Sequence, residues 1–195
     1  MDTTSVNARI AAQVRQLRAA LGLSLEALAA RSGVSRSTIS LIERAAASPT
    51  ASVLERLAAG LDVPLARLFD TPDSAPPQPL ARRAEQPRWT DPVSGYIRCN
   101  LTPPQWPTAL RLVEVMFPPG ASVAFDNAGL SAQHTQQIWL MEGEMQLSIG
   151  ATDYSLAAGD CLAMALDQPI VFRNPGSTAA RYLVAVSREL TRTAA

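Results

Sequence analysis

The chain has 195 residues, no net charge, 17% charged and 47% hydrophobic residues. That is long enough for one or two packed cores, and it excludes a disordered tail or a polybasic nucleic-acid coat. Every one of the 17 Lys/Arg positions is arginine, which excludes Schiff-base chemistry and lysine-built nucleotide cradles. Cys99 and Cys161 are isolated, forming neither a CxxC pair nor a disulfide framework. The polar start "MDTTSVNAR" lacks a signal-peptide core, and no apolar run reaches bilayer length. The expectation is a cytoplasmic protein with no membrane contact.

In chain order, helices come first. Val6, Ile10, Val14, Leu17 and Leu21 repeat at helical spacing, and Gly22 ends that run. Ser24 caps a second helix with Leu25, Leu28 and Ala29, stopped by Gly33. Ser35 caps a third, with Ile39 and Ile42 on one face. Thr50 opens a fourth, bearing Leu54, Leu57 and Leu61, and Pro64 starts a fifth with Leu65, Leu68 and Phe69. The segment "TPDSAPPQPLARRAEQP" is proline-rich and aperiodic, so it reads as a semi-rigid linker. Short strand patterns then alternate with Pro/Gly turns: "LRLVEVMF", "IWLMEGEMQLSIG" folding back at Glu142-Gly143, "YSLAAGD", "CLAMAL", "IVFRNPG" and "RYLVAVS". These divide the chain into a helical domain over 1–70, a linker over 71–90 and an all-β sandwich or barrel over 91–190.

The stretch "LSLEALAARSGVSRSTISLIER" carries the sharpest motif. A helix-turn-helix needs a small residue where two helices cross, a glycine four positions later, and apolar residues flanking them. Ala29, Gly33, Leu28, Val34, Ile39 and Ile42 stand in that frame. The helical half resembles the phage-repressor-like helix-turn-helix family, the XRE or Cro/C1 type, over residues 7–69. The resemblance implies that the helix from Ser35 to Arg44 lies in the major groove, with Arg36 and Ser37 facing base edges. Ser24, Ser35, Ser40 and Arg44 would hold phosphates. The family's helix-1 arginine and recognition-helix glutamate match Arg18 and Glu43, a pair that would brace the two helices. Leu41 departs from relatives that place a polar base-reader there. Residues 1–70 hold eight arginines against six acids, and so weak a charge favours a homodimer spanning half-sites about 34 Å apart.

The second half resembles the small single-domain cupins, jelly-roll barrels with a metal among inward side chains, on "FPPGAS", "LMEGEMQLSIG", "LAAGD" and "FRNPG". Enzymes of that family place a His-x-His pair and a Glu before the hairpin and a further His before the final turn. Here the glutamate position is Gln136, the last histidine position is Ile170, and His134 stands alone beside Gln133. About three nitrogen, sulfur or carboxylate ligands are usual for a catalytic first-row metal. The expectation is therefore no metal and no cofactor. Glu142 is expected in solvent and Cys161 buried as a small side chain. If strand parity holds, His134, Gln136, Ile138, Leu140, Ile170 and Phe172 line a cavity for a small organic effector, while Trp139 and Met145 face either way.

The combined expectation is an α + β two-domain, non-enzymatic transcriptional regulator: five helices reading a double-stranded DNA operator, and a cupin barrel that dimerises and senses a metabolite. Two alternatives stand beside it. One is a metal-dependent cupin enzyme fused to a DNA-binding module, and the other a non-sensing structural repressor resembling an antitoxin.

Overall fold

A computed structural model describes residues 3–70, 77–126 and 134–188. Helix α1 spans Thr3–Ala20, α2 Leu25–Ser32, α3 Arg36–Glu43 and α4 Ala51–Gly60. Their boundaries follow from local chemistry. The hydroxyls of Ser24, Ser35 and Thr50 accept from the backbone N–H of Ala27, Thr38 and Val53, satisfying donors that a helix start leaves open. Gly33 closes α2 at φ 65°, a left-handed conformation open to glycine at little cost. The expected fifth helix is instead a five-residue 3-10 turn, Leu65–Phe69. Pro64 precedes it, Arg67 N–H bonds to Pro64 O at 2.8 Å, and the chain is extended again at Asp70, so there is no room for an α-helical ladder. Val6, Ile10 and Val14 are fully buried as the periodicity predicts, but Leu21 lies beyond α1 and is 47% exposed.

Among the described residues ten strands follow: β1 Arg88–Thr90, β2 Ile97–Asn100, β3 Leu110–Phe117, β4 Ser122–Phe125, β5 His134–Glu142, β6 Glu144–Ile149, β7 Thr152–Ala157, β8 Cys161–Ala165, β9 Ile170–Arg173 and β10 Ala180–Arg188. They form two antiparallel sheets, β1-β2-β3-β10-β5-β8 and β4-β9-β6-β7. Among the described residues no ladder joins the two sheets, so the expected closed barrel is an open double sheet. The reason is visible at Glu142-Gly143-Glu144. Instead of folding back as a hairpin, β5 continues into β6 in the other sheet. Gly143 makes that corner at φ 83°, and a Cβ there would sit 2.8 Å from Ala180 Cα. Strand β1 opens inside the segment expected as linker, and β1, β2 and β4 lack a signal strong enough to have been expected.

Period-two alternation sets the core. Ile138 and Leu140 of β5 and Val113, Val115 and Phe117 of β3 face Met145, Leu147, Ile170 and Phe172 of the second sheet. Met145 therefore faces in, whereas Trp139 faces out at 49% exposure. The two halves also share one core. A chain of aromatic contacts runs from Phe69 of the helical half through Trp89, Tyr96, Phe117 and Tyr182 to Phe172, with ring centroids 5.7–6.3 Å apart. Polar bonds stitch the same seam. Asp91 Oδ1 accepts from Ala51 N–H at the start of α4 (2.8 Å), and Asn100 Nδ2 donates to Ala66 O (3.2 Å). Asp70 takes both Arg67 (2.6 Å) and Arg111 (3.1 Å). The helical half is thus seated on the first sheet rather than tethered to it.

Candidate nucleic-acid interface and junction cavity

The third helix divides into two faces. Ile39, Ile42 and Glu43 are buried, while Arg36, Ser37, Leu41 and Arg44 are exposed and Ser40 half-buried, a stripe at helical spacing. Beneath the stripe, Arg18 forms a bidentate pair with Glu43, Nε to Oε1 at 2.6 Å and Nη2 to Oε2 at 2.8 Å. Its remaining Nη1 donates to Leu23 O at 2.8 Å, so one guanidinium ties α1 to the recognition helix and to the loop before α2. The expected brace is present.

The six residues expected on DNA are all at the surface or its margin. Ser24 and Ser35 use their hydroxyls as caps, and Ser35 Oγ also lies 3.0 Å from Ser37 Oγ and 2.7 Å from Thr38 Oγ1. Ser37 is therefore drawn back to the helix start. Arg36 pairs with Glu26 of α2 at 2.5 Å, both about two-thirds exposed, a solvated contact that a base edge can replace. Arg44, the C-cap residue, folds back onto Ser40 O at 3.2 Å. Leu41 stands 40% exposed in the middle of the stripe.

A second site lies where the halves meet. A cavity of about 80 Å³ is walled by Phe117, Phe125, Ile170, Phe172, Val184 and neighbours from both sheets, and by Glu55, Ala58 and Val63–Ala66 from the helical half. Three of the expected lining residues reach it or its rim: Gln136, Ile170 and Phe172. Ile138 and Leu140 have the expected parity but are packed in the core, 1% and 0% exposed, and do not line it. The β5 ladder starts at His134, whose side chain lies outside the described residues. Cys161, expected buried, is exposed because it opens β8 opposite outward-facing Trp139, and Glu142 is exposed and paired with Arg181.

Apart from Gln136, the polar groups of this cavity were not expected from the sequence. Arg98 of β2 is 8% exposed, its Nε has no hydrogen-bond partner, and its guanidinium carbon sits 5.6 Å from the centroid of Phe69. Glu55 of α4 is 7% exposed with Oε2 likewise unpartnered. Burial, reinforced by Asp126 and opposed by Arg98, pushes the Glu55 carboxyl up to about 8. Burial lowers Arg98 and raises the phenols of Tyr96 and Tyr182, which also line the cavity. In sequence, Arg98 sits in "YIRCN", a charge inside an apolar run, and that was the available signal. The donors here are an amide, two phenols and one protonated carboxyl, a set that does not fit a first-row metal. Among the described residues no group of three His, Cys, Asp or Glu converges.

Residues 14–68 match the family model described as helix-turn-helix. The chain is 24% identical over 176 residues to the HTH-type transcriptional regulator SutR of Escherichia coli K12, covering 84% of this chain and 85% of that protein. Its fold is similar to that of an HTH_3 family transcriptional regulator from Vibrio cholerae, with TM-score 0.77, 22% identity, and coverage of 97% of this chain and all of that one. The chain also aligns with a Cupin_2 domain of an XRE family transcriptional regulator from Enterobacter cloacae at 15% identity, over 49% of this chain and 98% of that one. At a TM-score of 0.43 that likeness decides nothing. The capped third helix and its Arg18–Glu43 brace both lie inside the stretch that matches the helix-turn-helix model.

Proposed function

We propose that this protein is a sequence-specific DNA-binding transcriptional regulator whose β half, a cupin-like double sheet, dimerises and senses a small organic molecule. The observation that carries the reading is the exposed stripe of α3, offered to solvent while the opposite face and the Arg18–Glu43 pair hold the helix rigidly. On this reading Arg36 exchanges Glu26 for a base edge, and Ser37 and Leu41 complete the base-facing surface. Ser24, Ser35, Ser40 and Arg44 contact phosphates.

Dimerisation is supported by the outer face of the six-stranded sheet, where exposed Leu110 and Trp139 stand among half-buried Leu112 and Leu183. Two copies joined there would present recognition helices to half-sites about one DNA turn apart. The junction cavity is the effector site, and the protein acts as a regulator rather than an enzyme, a reading supported by its similarity over 84% of the chain to a transcriptional regulator. It operates in the cytoplasm, in keeping with its two free cysteines; among the described residues no helix is long and apolar enough to cross a membrane.

Selection of duplexes from a random-sequence DNA pool with the full-length protein, followed by footprinting, tests this directly. The expected product is a two-fold symmetric site protected over two adjacent turns. Failure to enrich any sequence would remove the regulator reading.

A further inference from the structure

The junction cavity contains a charge imbalance. Arg98 is cationic and buried, and placing an ion of that kind away from water is costly unless an opposite charge or a full set of acceptors meets it. The acid facing the same space is Glu55, and its carboxyl is held protonated near neutrality by burial and by Asp126. The phenols of Tyr96 and Tyr182 are kept in their neutral, donor form by the same burial. A guanidinium, two phenols, a protonated carboxyl and the Gln136 amide thus line one space, rich in donors and short of negative charge. The remaining walls are aromatic and branched aliphatic. At about 80 Å³ the space is roughly half the ~150 Å³ of an engineered cavity that takes up benzene, which limits an occupant to on the order of five heavy atoms.

Position adds a second element. Glu55 belongs to α4, and the next residue, Arg56, donates from Nη1 to Gly33 O at 3.2 Å, at the turn between α2 and the recognition helix. Five residues on, Gly60 packs so closely on α2 that a Cβ would fall 2.8 Å from Ser32 Cβ. One helix therefore touches the cavity on one face and the helix-turn-helix on the other.

Resting on the regulator reading above, we propose that the effector is a small organic carboxylate, bound through Arg98 with its short apolar tail against Phe117 and Phe172, and that Glu55 on α4 transmits its presence to the recognition helix. The carboxylate supplies the negative charge that Arg98 lacks and an acceptor for the Glu55 proton. A hydrogen bond gained by Glu55 alters the seating of α4, and with it the Arg56–Gly33 contact, so occupancy and operator affinity are coupled through one rigid element.

Propionate and its neutral isostere propionamide serve as probes in calorimetric titrations of the full-length protein. Propionate is expected to saturate at one per chain and propionamide to bind at least about tenfold more weakly, the loss set by the missing charge on Arg98. Arg98→Gln removes the preference between the two, and Ile170→Trp, which fills the cavity, removes binding of both. Equal affinity for the two probes, or no saturable binding of either, overturns the carboxylate site without any reliance on a variant's folding. The second measurement is fluorescence anisotropy with the selected DNA, at propionate saturating for each protein. The wild type is expected to change its operator Kd about fivefold or more, and Glu55→Ala to lose that change. An unchanged wild-type Kd, or an equal shift in Glu55→Ala, overturns the route through α4. Absence of any selected DNA sequence would instead overturn the regulator reading, leaving the calorimetric contrast to stand or fall separately.

Discussion

The helical half presents two surfaces built on opposite terms. On the outer face of α3 the polar groups are exposed or half-buried and locally matched: Ser35 to Thr38, Arg36 to Glu26, Arg44 to Ser40. On α4, one turn into the helix, Glu55 is sealed in with an unpartnered oxygen and faces an arginine that is no better satisfied. A solvated face loses little by exchanging partners, which suits a surface that must scan many DNA sequences. A buried, unmatched pair is costly as it stands and so responds strongly to whatever enters. On the proposed reading, the contrast separates a DNA-facing surface from an effector-facing one.

The largest expected effect concerns the element that keeps the reading surface in place. Glu43→Ala leaves the Arg18 guanidinium half-sealed beneath α3 with no counter-charge. It is expected to cost about 3 kcal/mol of stability in urea unfolding, toward the lower end for a broken buried ion pair. A loss below about 1 kcal/mol would mean that α3 is held by apolar packing alone. The contrast drawn above would then lose its rigid half.

Glu55 should produce the next effect, and its sign is opposite to that of an ordinary carboxylate. Its folded value of about 8 lies above the ordinary glutamate value of 4.5, so the folded state holds an extra proton between those limits. Stability from this group is fully present below about pH 4.5 and is lost as pH rises through about 8, by on the order of a few kcal/mol. The groups acting on it are Asp126 after β4, which raises it, and Arg98 on β2, which lowers it. Glu55→Gln is expected to flatten the fall in stability between pH 5 and 8 and to leave the protein more stable than wild type at pH 8. Parallel curves for the two proteins would show that Glu55 is ionised against Arg98, erasing the difference between the two surfaces.

Legibility in the sequence followed the same division. The caps at Ser24, Ser35 and Thr50 and the turn glycine Gly33 are local features readable from spacing, while the Arg18–Glu43 brace was implied by the family resemblance. Gln136, Ile170 and Phe172 followed from strand parity. Arg98 and Glu55 did not, because what defines them is a meeting of β2 with α4 across 43 positions of chain, and neither residue belongs to a motif. The corner at Gly143 misled for a related reason. A Glu-Gly-Glu between apolar runs signals a tight turn, but whether the strands then pair or part depends on β10, whose Ala180 packs against the glycine. The 3-10 turn at Leu65–Phe69 reflects the same limit, since its helical periodicity was right and its length was set by Asp70 anchoring to Arg111.

On the DNA side the expected losses are smaller and differ in kind. Arg36→Ala should cost about 1–3 kcal/mol at the preferred site and relax selectivity at one base pair. Arg44→Ala should weaken all sequences alike and reduce the salt dependence of binding by about one ion. Exchanged behaviours would place Arg44, rather than Arg36, against the bases.

Asp91 tests whether the two surfaces communicate at all. Its carboxylate comes from the β half, yet it accepts from Ala51 N–H, and through Oδ2 it also takes the backbone and hydroxyl of Ser94 at 2.7 and 2.6 Å. Asp91→Ala therefore removes a helix-start acceptor supplied from across the seam, at an expected cost of about 1 kcal/mol, the usual size of such a cap. If the shared core makes the halves one cooperative unit, that loss lowers a single unfolding transition seen equally by Trp89 fluorescence and by helical circular dichroism. Two separated transitions would mean that α4 can loosen while the sheets stay folded. A ligand held at Arg98 would then have no rigid lever on the recognition helix.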